Sequence, residues 1–239
     1  MNAALPTTLP GAVLFDWDNT LVDSWGCIHA SLNVTLEAMG LPAWTEAETR
    51  QRARRSLRES FPPLFGDRWQ EARSIYFNHF SAHHLEHLRP LPGAEALLKA
   101  LHTLGVYLAV VSNKTGHFLR CEAEALAWTG YFGGLVGATD AETDKPSLAP
   151  VSMALAPAGL TIGTLPAVGG WFVGDADVDM ECAHVAGCLP VLVGTAADSD
   201  FGQYPPAFRF ENCQSLCDLV RRLGDTISVP TFGNASLQV

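Results

Sequence analysis

Short apolar runs that stop abruptly at polar or turn residues set the rhythm of this chain. Ala12–Phe15 runs into Asp16, Val106–Val111 into Ser112, Trp171–Val173 into Gly174-Asp175, and Leu189–Val193 into Gly194. Runs this short, bounded by turn residues, match strands buried on both faces, where no alternation of polar and apolar residues is needed. Between them the spacing changes to that of a helix. Ala94, Leu97, Leu98, Leu101 and Leu104 form one stripe, with Gly105 placed to close it. Leu216, Leu219, Val220 and Leu223 form another, with Asn212 as the expected cap and Gly224 as the expected stop. Strands alternating with helices predict an α/β fold: an open parallel sheet with helices on both faces.

One interval interrupts the alternation. From about Val22 to Leu88 the pattern is helical throughout. Ile28, Leu32, Leu36 and Met39 make a stripe that ends at Gly40. Thr45 and Glu48 fit a capping box, and Asp67 with Gln70 offers a second cap ahead of Trp69, Ala72, Tyr76 and Phe80. Pro90-Leu91-Pro92-Gly93 reads as a hinge back to the sheet. The expected division is therefore a catalytic core of residues 1–21 and 89–239 and a helical cap of residues 22–88. Asp225 to Val239 shows weak periodicity and is expected to be loosely held.

Polar residues at the ends of the apolar runs are the candidates for chemistry, because ligands of open α/β sheets bind beyond the carboxyl ends of the strands. Asp16 and Asp18 sit two residues apart after the first run. Carboxylates this close repel unless a cation or proton lies between them. Ser112 and Asn113 end the second run, and a hydroxyl there can hydrogen-bond a phosphate oxygen. Lys145 follows a loop containing Asp140, Glu142 and Asp144, and the chain has only three lysines, at 99, 114 and 145. After Trp171–Val173 come Asp175, Asp177 and Asp179, hard oxygen donors of the kind that suits Mg²⁺. Each feature has a plain alternative: a solvated turn, a surface lysine, or acidic residues favoured by a helix dipole.

The ordered set is more specific than its parts. A strand with Asp-x-Asp, a strand with Ser, a Lys, and a strand with Gly-Asp-x-x-x-Asp follow one another over residues 12–223, with helices inserted after the first. This resembles the haloacid dehalogenase superfamily, in particular its phosphoglycolate phosphatase-like members with a helical cap after the first motif. The resemblance implies a Rossmann-like core carrying an inserted all-helical cap. It makes Asp16 the nucleophile, Asp18 the general acid and base, Ser112 the phosphoryl-binding hydroxyl, and Lys145 the neutralising cation. Asp16, Asp18 (through its backbone carbonyl), Asp175 and Asp179 become the Mg²⁺ ligands. Thr20 fits the position that supports the first loop, and Thr20 and Asn113 join Arg55 and Arg58 as expected substrate contacts. Asn19 stands where the commonest form of the motif has Gly, and Asn tolerates the left-handed backbone such a turn requires. Ser147-Leu148-Ala149-Pro150 departs from the residues usual after Lys-Pro, which puts the loop shape in question more than the lysine.

Composition narrows the reading. Lys plus Arg total 15 against 25 Asp plus Glu, a net charge of −10, so polymeric nucleic acid is an unfavourable partner. A small phosphorylated metabolite remains suitable where positive charge is concentrated. Arginines 50, 52, 54, 55 and 58 cluster in the insert, and Arg55 or Arg58 would suit a second anionic group such as a carboxylate. The bland alternative is a solvated helix face. His79, His83, His84 and His87 recur at helical spacing, but no acidic partner completes a known zinc pattern. Trp17 and Trp25 border the site in sequence, with core packing the competing role for Trp17. None of the six cysteines forms Cys-x-x-Cys, so free thiols in a reducing compartment are expected. No apolar run approaches the roughly eighteen residues of a membrane helix, and Met1–Pro10 resembles no signal peptide. A cytoplasmic monomer or homodimer with no membrane partner is expected. The same scaffold also hosts phosphosugar mutases and non-catalytic regulatory modules. Phosphonate hydrolysis through an imine would need a cap lysine, which residues 22–88 lack.

Overall fold

Strand β1, Ala12–Phe15, lies at the centre of a six-stranded parallel sheet. The computed structural model describes residues 5–53 and 55–227. On one side of β1 are β4 (Tyr107–Thr115) and then β5 (Gly134–Ala138); on the other are β6 (Trp171–Gly174), β7 (Leu189–Val193) and β8 (Phe208–Phe210). The chain leaves β1 in one direction and returns to its other flank at β6. That change of direction opens a crevice beyond the carboxyl ends of β1, β4 and β6.

Both faces of the sheet are covered, as the continuous apolar runs demand. Val13 and Phe15 pack with α5 (Ala94–Thr103) and α10 (Cys213–Ile227), through Leu97, Leu98, Leu101, Leu216 and Val220. Ala12 and Leu14, one residue out of phase, pack with α7 (Leu148–Leu155) and α9 (Asp177–Ala186), through Val151, Leu155, Cys182 and Ala183. Each fully buried Val, Leu or Phe contributes roughly 1.5–3 kcal/mol relative to exposure. All six cysteines are free thiols, and only Cys121 is not buried.

Residues between β1 and α5 form α1 (Trp25–Ala38), α2 (Glu46–Arg52), α3 (Leu57–Phe65) and α4 (Trp69–His87). They share a separate apolar cluster containing Leu32, Leu36, Phe61, Phe65, Tyr76 and Phe80, to which only Phe118 comes from the sheet-bearing part. Thr45 and Glu48 make the predicted capping box. Gly40 and Gly105 follow their helices with φ of 76° and 74°, the left-handed geometry that favours glycine. Asn212 accepts from the Ser215 amide and so caps α10.

Several expectations need correction. Asp67 caps nothing: a 3₁₀ turn over Gly66–Arg68 leads into α4, and its N-cap, Arg68, makes no side-chain cap bond. Gly224 does not stop α10, which continues to Ile227. It packs against Leu104, where a Cβ would come within 2.9 Å of that side chain, so close packing explains the glycine better than termination. Asp225–Ile227 thus belong to the helix, and 228–239 lie outside the described residues. The interval 22–88 is not wholly helical, because β2 (Val22–Asp23) pairs antiparallel with β3 (Arg89–Pro90) where the chain leaves and re-enters the sheet-bearing part. Strands β5 and β8 escaped the sequence reading, and β4 extends through Ser112–Thr115 instead of stopping at Val111.

Candidate active site

Strands β1, β4 and β6 deliver Asp16, Ser112 and Asp175 to one crevice. Asp16 is positioned by its own amide, which donates to the Val173 carbonyl on β6 at 2.9 Å. Lys145 arrives from the loop after β5. Its amide donates to Asn113 Oδ1 at 3.1 Å, and Asn113 Nδ2 donates back to the Lys145 carbonyl at 3.4 Å. That clamp aims a fully buried ammonium at two carboxylates, with Lys145 Nζ 2.6 Å from Asp16 Oδ1 and 2.6 Å from Asp179 Oδ1. The other oxygen of Asp179 accepts from the amides of Asp175 and Ala176 at 3.2 and 3.0 Å, which fixes the start of α9. Gly174 is required there, because a Cβ at that position would overlap the Asp179 side chain. Thr20, fully buried, donates toward Asp16 Oδ2 at 3.4 Å and Asp175 Oδ1 at 3.5 Å. Asn19 adopts φ of 61°, the left-handed turn its side chain tolerates.

Asp16, Asp175 and Asp179 each present an oxygen within 4.8 Å of the others. Burial pushes the Asp16 carboxyl up to about 7; Lys145 opposes the shift, while Asp179 and Asp18 add to it. Burial, then Asp179 and Asp16, drive Asp175 well above the usual carboxylate range. Lys145 is raised as well: burial disfavours its charge, yet Asp16 and Asp179 outweigh burial and hold its proton. Three ionised carboxylates would outnumber the one ammonium, and this repulsion adds to burial in making Asp16 and Asp175 hold their protons. Hard oxygens with a charge surplus fit a divalent cation, which would relieve the repulsion.

Asp18 lies apart from that cluster. Its Oδ1 is 2.7 Å from Lys114 Nζ, off the line an aligned hydrogen bond needs. Lys114 in turn donates to both oxygens of Glu122 at 2.8 Å. Glu122 also receives Trp17 Nε1 at 2.7 Å and lies 2.9 Å from His84 Nδ1. None of Lys114, Glu122 and His84 was assigned a role from the sequence. Only the scarcity of lysine and its place just after a strand end pointed to Lys114.

The remaining expectations divide. Arg55 lines the crevice, with a 3.5 Å contact to Glu59. Arg58 does not: it makes two hydrogen bonds to Asp144, next to Lys145, its Nε 3.0 Å from Oδ2. Its planar fork matches that carboxylate, so it ties α3 to the lysine loop instead of facing substrate. Asn113 reaches the crevice but spends its amide on Lys145. Thr20 supports the carboxylates and is not among the cavity's lining residues. Trp17 is core, fully buried at 5.9 Å from Trp128, whereas Trp25 lines the crevice. Asp177 opens α9 outside the carboxylate cluster, and Arg54 lies outside the described residues. The His79 and His83 rings lie 4.6 Å apart, but His79 Nδ1 meets Ser31 Oγ at 3.0 Å, His83 faces Glu86 and His84 faces Glu122, so the four histidines share no common centre.

The crevice is a cavity of about 840 Å³ between the sheet edge and the inserted helices. Asp16, Asp18, Ser112, Lys145, Asp175 and Asp179 line its sheet end. The carboxyl edge of this parallel α/β sheet thus gathers three carboxylates around a buried lysine at one end of the cavity. The chain belongs to the haloacid dehalogenase-like hydrolase family, whose model matches residues 13–193. It is 32% identical over 184 residues to a phosphoglycolate phosphatase of Aquifex aeolicus, covering 75% of this chain and 83% of that one. A phosphoglycolate phosphatase of Neisseria meningitidis is 31% identical over 206 residues, covering 81% and 83%. The fold matches a haloacid dehalogenase-like hydrolase from Bacteroides fragilis with a TM-score of 0.78 at 21% identity, covering 87% of this chain and all of that one. No single helix among the described residues is long and apolar enough to cross a membrane.

Proposed function

We propose that this enzyme is a Mg²⁺-dependent phosphatase that hydrolyses a small phosphate monoester, 2-phosphoglycolate or a sugar phosphate, through a phosphoryl group carried on Asp16. The observation that carries the reading is Asp16 itself. It lies at the cavity end, held by Lys145, beside two further carboxylates whose excess charge calls for a cation. Asp16, Asp175 and Asp179, with the Asp18 carbonyl, are the proposed Mg²⁺ ligands. When bound, the ion offsets the repulsion between carboxylate and phosphate dianion and stabilises charge on the phosphoryl oxygens.

The chain's own groups then divide the work. Asp16 attacks phosphorus as the ester P–O bond breaks, which splits one very slow displacement into two easier ones. Asp18 gives its proton to the departing alkoxide. It then takes a proton from the water that attacks the phosphorylated Asp16, so phosphate leaves and Asp16 is regenerated. Ser112 donates to a phosphoryl oxygen, and Lys145 keeps positive charge beside Asp16 throughout. Residues 22–88 act as a cap over residues 1–21 and 89–239, and Arg55 is placed to meet an anionic group on the substrate. The relatives named above favour phosphoglycolate within this class. The reading places the enzyme in the cytoplasm.

A panel of phosphate monoesters that includes 2-phosphoglycolate and several sugar phosphates tests this, with inorganic phosphate measured with Mg²⁺ and with EDTA. Release that requires Mg²⁺ is expected. Phosphate retained on an isomerised product would point to a mutase, and release undiminished by EDTA would remove the metal from the reading.

A further inference from the structure

Behind Asp18 lies a buried charged cluster that the proposed chemistry leaves without a task. Lys114 is 4% exposed at its side chain and Glu122 is 2% exposed. Burying a lysine is costly unless its charge is matched and its donors are used. Lys114 meets that requirement with two carboxylates: 2.7 Å to Asp18 and 2.8 Å to each oxygen of Glu122. Glu122 is held from two further directions, by Trp17 Nε1 at 2.7 Å and by His84 at 2.9 Å. An ionised carboxylate only accepts, so His84 Nδ1 carries the proton in that bond. Burial would push Glu122 up, but Lys114, His84 and Trp17 outweigh it and keep it below its ordinary value.

The members come from different parts of the chain. Asp18 and Trp17 follow β1, Lys114 ends β4, and Glu122 lies on α6 (Gly116–Ala125). His84 belongs to α4 of the insert, where its ring stacks on Phe80 at 5.1 Å and meets Phe118 of α6 edge-on. Lys114 Nζ also sits 4.9 Å from the Phe80 ring centroid. The insert thus supplies one of the three groups that hold the Lys114–Glu122 pair, together with an aromatic face over the ammonium. A charge with all its neighbours fixed has one place to be, whereas an Asp on a turn beside solvent is free to rotate.

We propose that Lys114, seated by Glu122, Trp17 and the insert's His84, is a positioning residue that holds Asp18 in place for proton transfer and makes that placement depend on the insert's docking against α6. This rests on the reading of Asp18 as the proton-transfer group. Lys114 itself forms no bond to the reacting atoms. It confines the Asp18 carboxylate so that the proton reaches the departing alkoxide without a search among rotamers. The His84 link gives the insert a route to Asp18 that does not run through substrate.

The test uses the full chain and two substrates. One is p-nitrophenyl phosphate, whose leaving group needs little protonation; the other is the alkyl phosphate monoester the parent turns over best. Both kcat/KM values report steps up to departure of the leaving group, so their alkyl-to-aryl ratio reads the proton delivered by Asp18. The double variant Lys114→Met/Glu122→Gln removes the cluster and leaves no charge at positions 114 and 122, and His84→Phe cuts the insert's link while keeping the ring stack. We expect the ratio to fall at least tenfold in the double variant and by a smaller, measurable factor in His84→Phe. Asp18→Asn is the reference. If Asp18→Asn lowers the ratio and the double variant leaves it unchanged, the positioning role is wrong. If Asp18→Asn leaves it unchanged, the assignment of Asp18 is wrong and the positioning role goes with it. A loss of both activities in equal proportion in the double variant, with an unchanged ratio in His84→Phe, would reduce the cluster to a structural role and overturn the proposal.

Discussion

Asp16 is subject to opposing demands. A nucleophile benefits from burial because water is excluded, yet burial together with the carboxylates of Asp179 and Asp18 holds the Asp16 carboxyl up at about 7. Lys145 alone does not restore the ordinary value. A cation bound there would have two effects: it would keep Asp16 ionised and would screen the incoming phosphate. Asp16→Asn keeps the shape and removes the proposed nucleophile, so turnover should fall by on the order of 10⁴-fold or more with the fold intact. Phosphate release and circular dichroism on the same preparation check this. Gly174→Ala is a sharper probe of geometry. Its Cβ would displace Asp179, which holds Lys145 and two amides of the α9 turn. The expected result is a higher Mg²⁺ concentration for half-maximal activity, read by titration. At this scale the sequence was informative where a residue type is rare or chemically constrained. Asn19 with φ of 61° and Lys145 beside Asp16 are examples. It was uninformative for Glu122, whose partners Trp17 and His84 lie 105 and 38 positions away. A lone Glu in a helix carries no sign of such pairing.

Elements repeat that division. Strands with uninterrupted branched or aromatic residues were legible, and so were helices with regular stripes and caps. Gly134-Leu-Val-Gly-Ala has two glycines in five residues and packs by close approach: a Cβ on Gly137 would overlap the backbone of Lys114 and Gly116. Such a strand looks like a loop in sequence, because its glycines answer to a neighbour and not to a turn. Phe208–Phe210 is only three residues long, below what periodicity can register. Arg55 and Arg58 show the limit for charges. Three positions apart, they were read as equivalent, but one faces the cavity and the other faces Asp144. Arg58→Ala leaves Asp144 buried without that partner and loosens the loop carrying Lys145. A cost of about 1–3 kcal/mol and a lower kcat across all substrates are expected. Arg55→Ala should instead raise KM for phosphoesters bearing a carboxylate and leave neutral ones unchanged. Steady-state kinetics across charged and neutral substrates separates the two outcomes.

On the scale of the molecule, the acidic cluster links stability to pH and to metal. Asp16 has a folded value of about 7 against an ordinary 3.8. Between these values the native state binds a proton that the unfolded chain has released, so stability falls as pH rises through that window. Asp175 is raised as well and acts in the same direction. The raised Lys145 contributes fully below 10.5 and does not oppose the trend near neutrality. Glu122, held low, gives support that is lost only as pH falls below its ordinary 4.5. In EDTA, Tm should therefore fall by several degrees between about pH 5 and pH 7. Added Mg²⁺ should raise Tm more at the higher pH, because a ligand bound only by the folded state stabilises it. A Tm in EDTA that rises over this interval would show that the cluster is not charged as described. The most direct test of the central claim is to trap the phosphoryl group. Asp18→Asn, mixed with p-nitrophenyl phosphate, whose leaving group needs little protonation, and with Mg²⁺, then quenched in acid, should carry one added phosphoryl mass on the peptide containing Asp16. Asp16→Asn treated in the same way should carry none. Phosphate release by the parent enzyme with no label on Asp16 in the trapped variant would contradict a covalent route and leave direct attack by water.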